Sequence, residues 1–139
     1  MLHFPDPKMS ERFLPYLLVG LGGFVGANAR FILSRFVGNL ATVRFPLGTF
    51  VINISGSFLL GVLATLVTQR VTAHGDQLRL ALGVGVLGAF TTFSTFEFET
   101  HALIEDGSWM TAFANMFLSL FLGLLAVRLG IVAGKQWLS

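Results

Sequence analysis

The sequence predicts an all-α membrane protein of four transmembrane helices, the third broken in mid-membrane, forming one domain over residues 1–139. Three observations predict it. Only 12% of the residues are charged and 54% are hydrophobic, whereas a soluble domain carries about a quarter charged residues; the mean hydropathy is +0.78. Uncharged runs cover residues 13–29, 45–69, 80–96 and 107–127, of 17, 25, 17 and 21 residues, and a spanning helix needs roughly 17–25. None of the runs alternates with the period of two that a membrane β-strand shows. The same composition argues against a soluble enzyme, a nucleic-acid partner and a disordered chain. With no cysteine, a disulfide framework, a thiolate site and a zinc–cysteine site are excluded. The net charge of +2 rests on nine basic and seven acidic residues, too few to indicate a partner.

The first dozen residues read as a mobile tail or a short interfacial stretch. The first span, about 14–36, reaches Gly20–Gly26 with no clear small-residue cleavage site, so it reads as a retained span rather than a signal peptide. Gly22 with Gly26, and Gly23 with Ala27, place small residues four apart, where helix backbones approach closely in lipid. Arg30 lies one turn beyond. It either snorkels to the headgroups or makes a positive vestibule for an anion.

The second span, about 47–69, follows Pro46 at a position where a helix start tolerates proline. Thr49, Asn53, Ser57 and Gly61 recur every four residues and make one polar, small stripe along an apolar helix. Asn53 reads either as interhelical glue, worth about 1 kcal/mol or less, or as part of a pathway. His74 belongs to the polar loop that follows.

The third span, about 79–101, holds four hydroxyl residues and three phenylalanines over 90–96, at the depth that should be driest. Threonine and serine compete for backbone hydrogen bonds and disfavour helix. A break there frees backbone groups, which membranes tolerate only inside protein or against a cavity or ion. Glu97, Glu99 and His101 follow; Glu97 reads as interfacial, Glu99 as able to face a vestibule. The fourth span, about 109–132, repeats the stripe with Thr111, Asn115, Ser119 and Gly123. Trp109 and Trp137 bracket it as interfacial anchors. Two matching stripes favour a shared pathway over glue.

No catalytic constellation accompanies these features, so the chain reads as a non-enzyme. Metalloprotease and phosphate-loop motifs are absent, no histidine lies inside a span, and the GxGGxxG pattern at 20–26 sits in a membrane helix with no flanking strand. The polar groups within the spans are neutral, which suits an ion that must pass rather than be trapped. A proton-coupled exporter of cations or drugs would hold a carboxylate deep in its first spans, and these have none; it stays open through Glu97 or Glu99. A non-conducting membrane subunit, with the stripes as glue, also stays open. Phe93 and Phe96 either pack or offer their positive ring edges to an anion.

Three blocks, GANARF at 26–31, PLGTFVINISG at 46–56 and GAFTTFSTFEFE at 88–99, resemble the CrcB/Fluc fluoride channels. The resemblance runs through nearly the whole chain. It implies a fluoride-specific channel that passively exports cytoplasmic fluoride, built as an antiparallel, dual-topology homodimer in the plasma membrane (the inner membrane of a Gram-negative source). It also implies two ion pathways and a structural sodium ion at the dimer interface, held by the backbone carbonyls of Gly88 and Thr91. By the same resemblance Asn53, Phe93, Phe96, Thr95, Asn115 and Ser119 line the fluoride pathway, with Arg30 and Glu99 in the vestibule. Where the family often has a second glycine, this chain has Ala89, whose methyl would cost energy if that position needed positive φ. Lys8, Arg12, Arg70, Arg79 and Lys135 on one side, against Arg35 and Arg44 on the other, favour an N-inside orientation, whereas dual topology predicts a closer balance.

Overall fold

The first uncharged run lies wholly inside one longer helix, the second and fourth begin two residues before theirs, and the third is interrupted by a break. The computed structural model describes residues 9–40, 44–69 and 74–138, so the segment before Met9 lies outside the described residues. Helix α1 is Met9–Leu40 and α2 is Leu47–Gln69. The third span is built from α3 (Gly75–Leu78), a π-helix π1 (Arg79–Leu87), α4 (Gly88–Phe90) and α5 (Phe93–Glu105). Helix α6 is Trp109–Leu138. Four segments are long and apolar enough to cross a membrane: 12–39, 47–69, 75–105 and 109–137. The predicted second span coincides with α2, the first and fourth lie within α1 and α6, and the third falls within the broken segment 75–105.

The break falls at two residues. Thr91 (φ −79°, ψ 157°) and Thr92 (φ −150°, ψ 117°) are extended, a conformation that β-branched residues favour. Thr92 then caps α5, its hydroxyl accepting from the Thr95 N–H at 3.3 Å, the usual role of threonine at a helix start. Ala89 lies inside α4, and no described residue other than glycine has positive φ, so its methyl carries no backbone penalty. The nine-residue π-helix before the break is not foreshadowed by periodicity; π-turns are rare and concentrate at functional sites.

Small residues set which helices meet. A Cβ at Gly22 would strike the Ala81 carbonyl, and one at Gly26 the Val86 carbonyl, so α1 lies backbone to backbone along π1. Gly61 meets the Val127 carbonyl and Gly130 the Phe58 carbonyl, seating α2 on α6 in the most extensive pairing of the fold. Rigid backbone cannot yield to an added side chain, which is why small residues mark membrane helix contacts. The α5–α6 corner is equally specified: Gly107 adopts φ +72°, and the Gly107 and Ser108 N–H groups bond back to Ile104 and Leu103 carbonyls at 2.9 and 2.8 Å, the hydrogen-bond pattern of a glycine C-cap. Few side chains are fully buried. The largest are Ile52 and Asn115, while the phenylalanines and leucines of α1 and α6 face outward, as a lipid-facing surface requires.

Candidate functional site

An unbroken helix would pair the Gly88 carbonyl with the Thr92 N–H, and the Thr91 carbonyl with the Thr95 N–H. Neither pairing survives the break. The Thr92 N–H donates to Asn53 Oδ1 at 2.9 Å, and the Thr95 N–H donates to the Thr92 hydroxyl. Asn53 completes a two-bond clasp by donating its Nδ2 to the Thr92 carbonyl at 3.0 Å. One side chain of α2 thus stands in for a missing turn of the third span. The break releases the Gly88 and Thr91 carbonyls on one side. On the other it exposes the amide end of α5, whose first N–H groups have no intrahelical acceptor and carry the positive end of the helix dipole.

A cavity of about 360 Å³ opens at this point. Asn53, Ser57, Thr92, Phe93, Phe96 and Ser119 line it, together with Gly88 and Thr91, and among the described residues its lining holds no charge. The Phe93 and Phe96 rings lie 5.8 Å apart at 39°, and Phe93 is 73% exposed, its ring facing open space rather than the core. The Thr92 hydroxyl donates to Thr95 Oγ1 at 3.0 Å, leaving Thr95 its own O–H to donate.

The two asparagine stripes diverge here. Asn115 is 1% exposed; it donates to Thr100 Oγ1 at 2.8 Å and accepts from the Ser119 hydroxyl at 3.4 Å. It lies behind the cavity wall, and Ser119 is the member of its stripe that lines the cavity. Thr100 in turn donates to the Phe96 carbonyl at 2.7 Å, so this network ties α6 to the helix that carries both rings.

Glu99 lines a second cavity, of about 400 Å³, with Arg44, Pro46 and Asp106. Its Oε2 is buried without a hydrogen-bond partner. Arg30 is half-buried and lines neither cavity. Thr92 as cap and clasp partner, Thr100 as bridge and Arg44 at the second cavity were not singled out by the sequence. Thr92 alone had a usable signal, a threonine three residues before another in a block that disfavours helix.

Comparison with known proteins places this geometry. The family described as CrcB-like protein, Camphor Resistance (CrcB), matches residues 17–131, which hold the break and the lining of both cavities. The chain belongs to the CrcB family. Among its relatives, a protein of Solibacter usitatus named fluoride-specific ion channel FluC is 42% identical over 123 residues, covering 88% of this chain and 100% of its own length. Fluoride-specific ion channel FluC 2 of Moorella thermoacetica is 47% identical over 120 residues, 86% of this chain and 96% of its own. A FluC of Magnetococcus marinus is 47% identical over 117 residues, 84% and 94% of the two chains. Four apolar helices and this kinship make the chain a multi-pass membrane protein.

Proposed function

We propose that this chain is a fluoride-specific ion channel through which cytoplasmic fluoride leaves passively, lowering its toxicity. The observation that carries the reading is the cavity at the break, uncharged among the described residues, where the amide end of α5, the Asn53 amide, Thr91, Thr92 and the Phe93 and Phe96 rings meet. Fluoride is small and strongly hydrated. A path for it must supply close hydrogen-bond donors in place of water, without a fixed positive charge that would hold it. The names of the relatives, fluoride-specific ion channels, support fluoride as the ion.

In this reading Asn53, Phe93, Phe96, Thr95 and Ser119 form the pathway, with Asn115 supporting Ser119 and Phe96 from behind. Glu99 and Arg30 belong to the vestibule. The Gly88 and Thr91 carbonyls fit a structural sodium ion, because both lose their helical donors to Asn53 and Thr92 and hard cations take oxygen ligands. The ion would lock the break by neutralising the carbonyl end of α4. Two carbonyls per chain leave such a shell incomplete, which supports a homodimer that shares the ion, with the two chains antiparallel in the plasma membrane.

The test is fluoride release from potassium-fluoride-loaded liposomes on addition of valinomycin, read with a fluoride electrode beside chloride-loaded controls. Fast fluoride release without chloride release is expected. No release from verified dimers would overturn the reading.

A further inference from the structure

We infer that the 400 Å³ cavity at the loop end is the aqueous mouth of this pathway and that Arg44 collects the anion there, set against the carboxylates of Glu99 and Asp106. The inference rests on the fluoride-channel reading. Phe96 lines the inner cavity and Glu99 the outer one; three residues apart on α5, they are separated by only ~4.5 Å of helix axis. An anion leaving the rings therefore meets Glu99 next. A carboxylate alone would repel it, and Arg30, the cation assigned to the vestibule, lines neither cavity within one chain, so in this cavity the compensating charge comes from another residue. Among the described residues Arg44 is the one cation in the lining.

Among the described residues its guanidinium has no ion-pair or hydrogen-bond partner. The ion pair among the described residues joins Arg79 to Asp76 at 3.9 Å, and neither belongs to this cavity. Glu99 Oε2 is likewise left without a partner. Both charges are carried on ordered backbone. Beside Arg44, the Leu47 N–H bonds to the Phe45 carbonyl at 2.8 Å and the Phe50 N–H to Pro46 at 3.1 Å, while the Phe45 and Phe50 rings meet edge-on at 5.4 Å. Asp106 sits on the corner fixed by Gly107. Opposite charges held apart across one cavity leave room for an anion beside the cation.

Unitary fluoride currents in planar bilayers test this at two ionic strengths set with gluconate. Because the Debye length falls from about 30 Å at 0.01 M to about 3 Å at 1 M, Arg44→Gln should lower the current several-fold at about 0.01 M and leave it near wild type at about 1 M. Arg44→Lys should keep most of the low-salt current. Asp106→Asn should raise it, which also keeps the test decisive if Arg44→Gln does not fold. An equal loss at both ionic strengths would mark a structural role and overturn the proposal. So would an unchanged low-salt current in Arg44→Gln, or a rise, which would mean that the carboxylates serve a cation. A wild-type protein that carries no fluoride current would overturn this proposal together with the reading beneath it.

Discussion

Asn53 and Asn115 occupy the same place in two matching stripes, yet they bond to different kinds of partner. Asn53 clasps backbone, giving both its oxygen and its nitrogen to Thr92 across 39 positions of sequence, and it remains on a cavity wall. Asn115 bonds only side chains, Thr100 and Ser119, and is sealed from any cavity. The difference follows from what each asparagine meets. Asn53 reaches the broken segment, where backbone groups lack partners, whereas Asn115 reaches intact α5, where only side chains have capacity left. An asparagine inside a membrane is thus defined by the regularity of its neighbour rather than by its own helix.

The sharpest way to break this comparison is to remove the clasp. Asn53→Leu leaves the Thr92 N–H without its acceptor at membrane depth, costing about 1–3 kcal/mol. Fluoride release should fall ~100-fold or more, as a barrier raised by about 2.7 kcal/mol implies, and thermal melts in detergent should show the lost stability. Asn53→Asp keeps the acceptor for the Thr92 N–H but loses the donor and adds negative charge. It should fold as a dimer by size exclusion and release no fluoride. Next comes Phe93→Ile, which removes a ring that packs little in the chain. Flux should be lost with the melting temperature unchanged, a split that a merely packed ring would not show.

Asn115→Ala should do the reverse, lowering stability by about 1 kcal/mol, the scale of interhelical hydrogen bonds in membranes, while leaving most of the fluoride release. Thr100→Val should give the smallest effect, about 0.5 kcal/mol, read as a slightly lower melting temperature. A larger flux loss in Asn115→Ala than in Asn53→Asp would erase the distinction between the two stripes.

The four spans and the broken third helix were legible because both are composition effects: charges bound the apolar runs that cross a membrane, and a block of hydroxyl residues disfavours helix. The place of the break was legible only to within the block at 88–96. That Thr91 and Thr92 take the extended conformation depends on Asn53 being there to receive the freed N–H, a tertiary fact. The stripes identified the inward faces of α2 and α6 correctly, since spacing fixes a face, but spacing cannot say what that face meets. The π-helix at Arg79–Leu87 has no counterpart in the pattern; Gly85, whose added Cβ would lie 2.9 Å from the Gly22 Cα, shows the close approach of α1 there. Arg44 was invisible as a site residue for the same reason: it lies outside the helices, and the bend that carries it to Glu99 and Asp106 has no periodicity.

The most direct measurement compares wild type, Asn53→Asp and Asn115→Ala side by side as size-exclusion-verified dimers in the fluoride-release assay with valinomycin. The account predicts fast, chloride-free fluoride release from wild type, none from Asn53→Asp and substantial release from Asn115→Ala. Equal release from all three would contradict the assignment of the clasp at the break to the ion pathway.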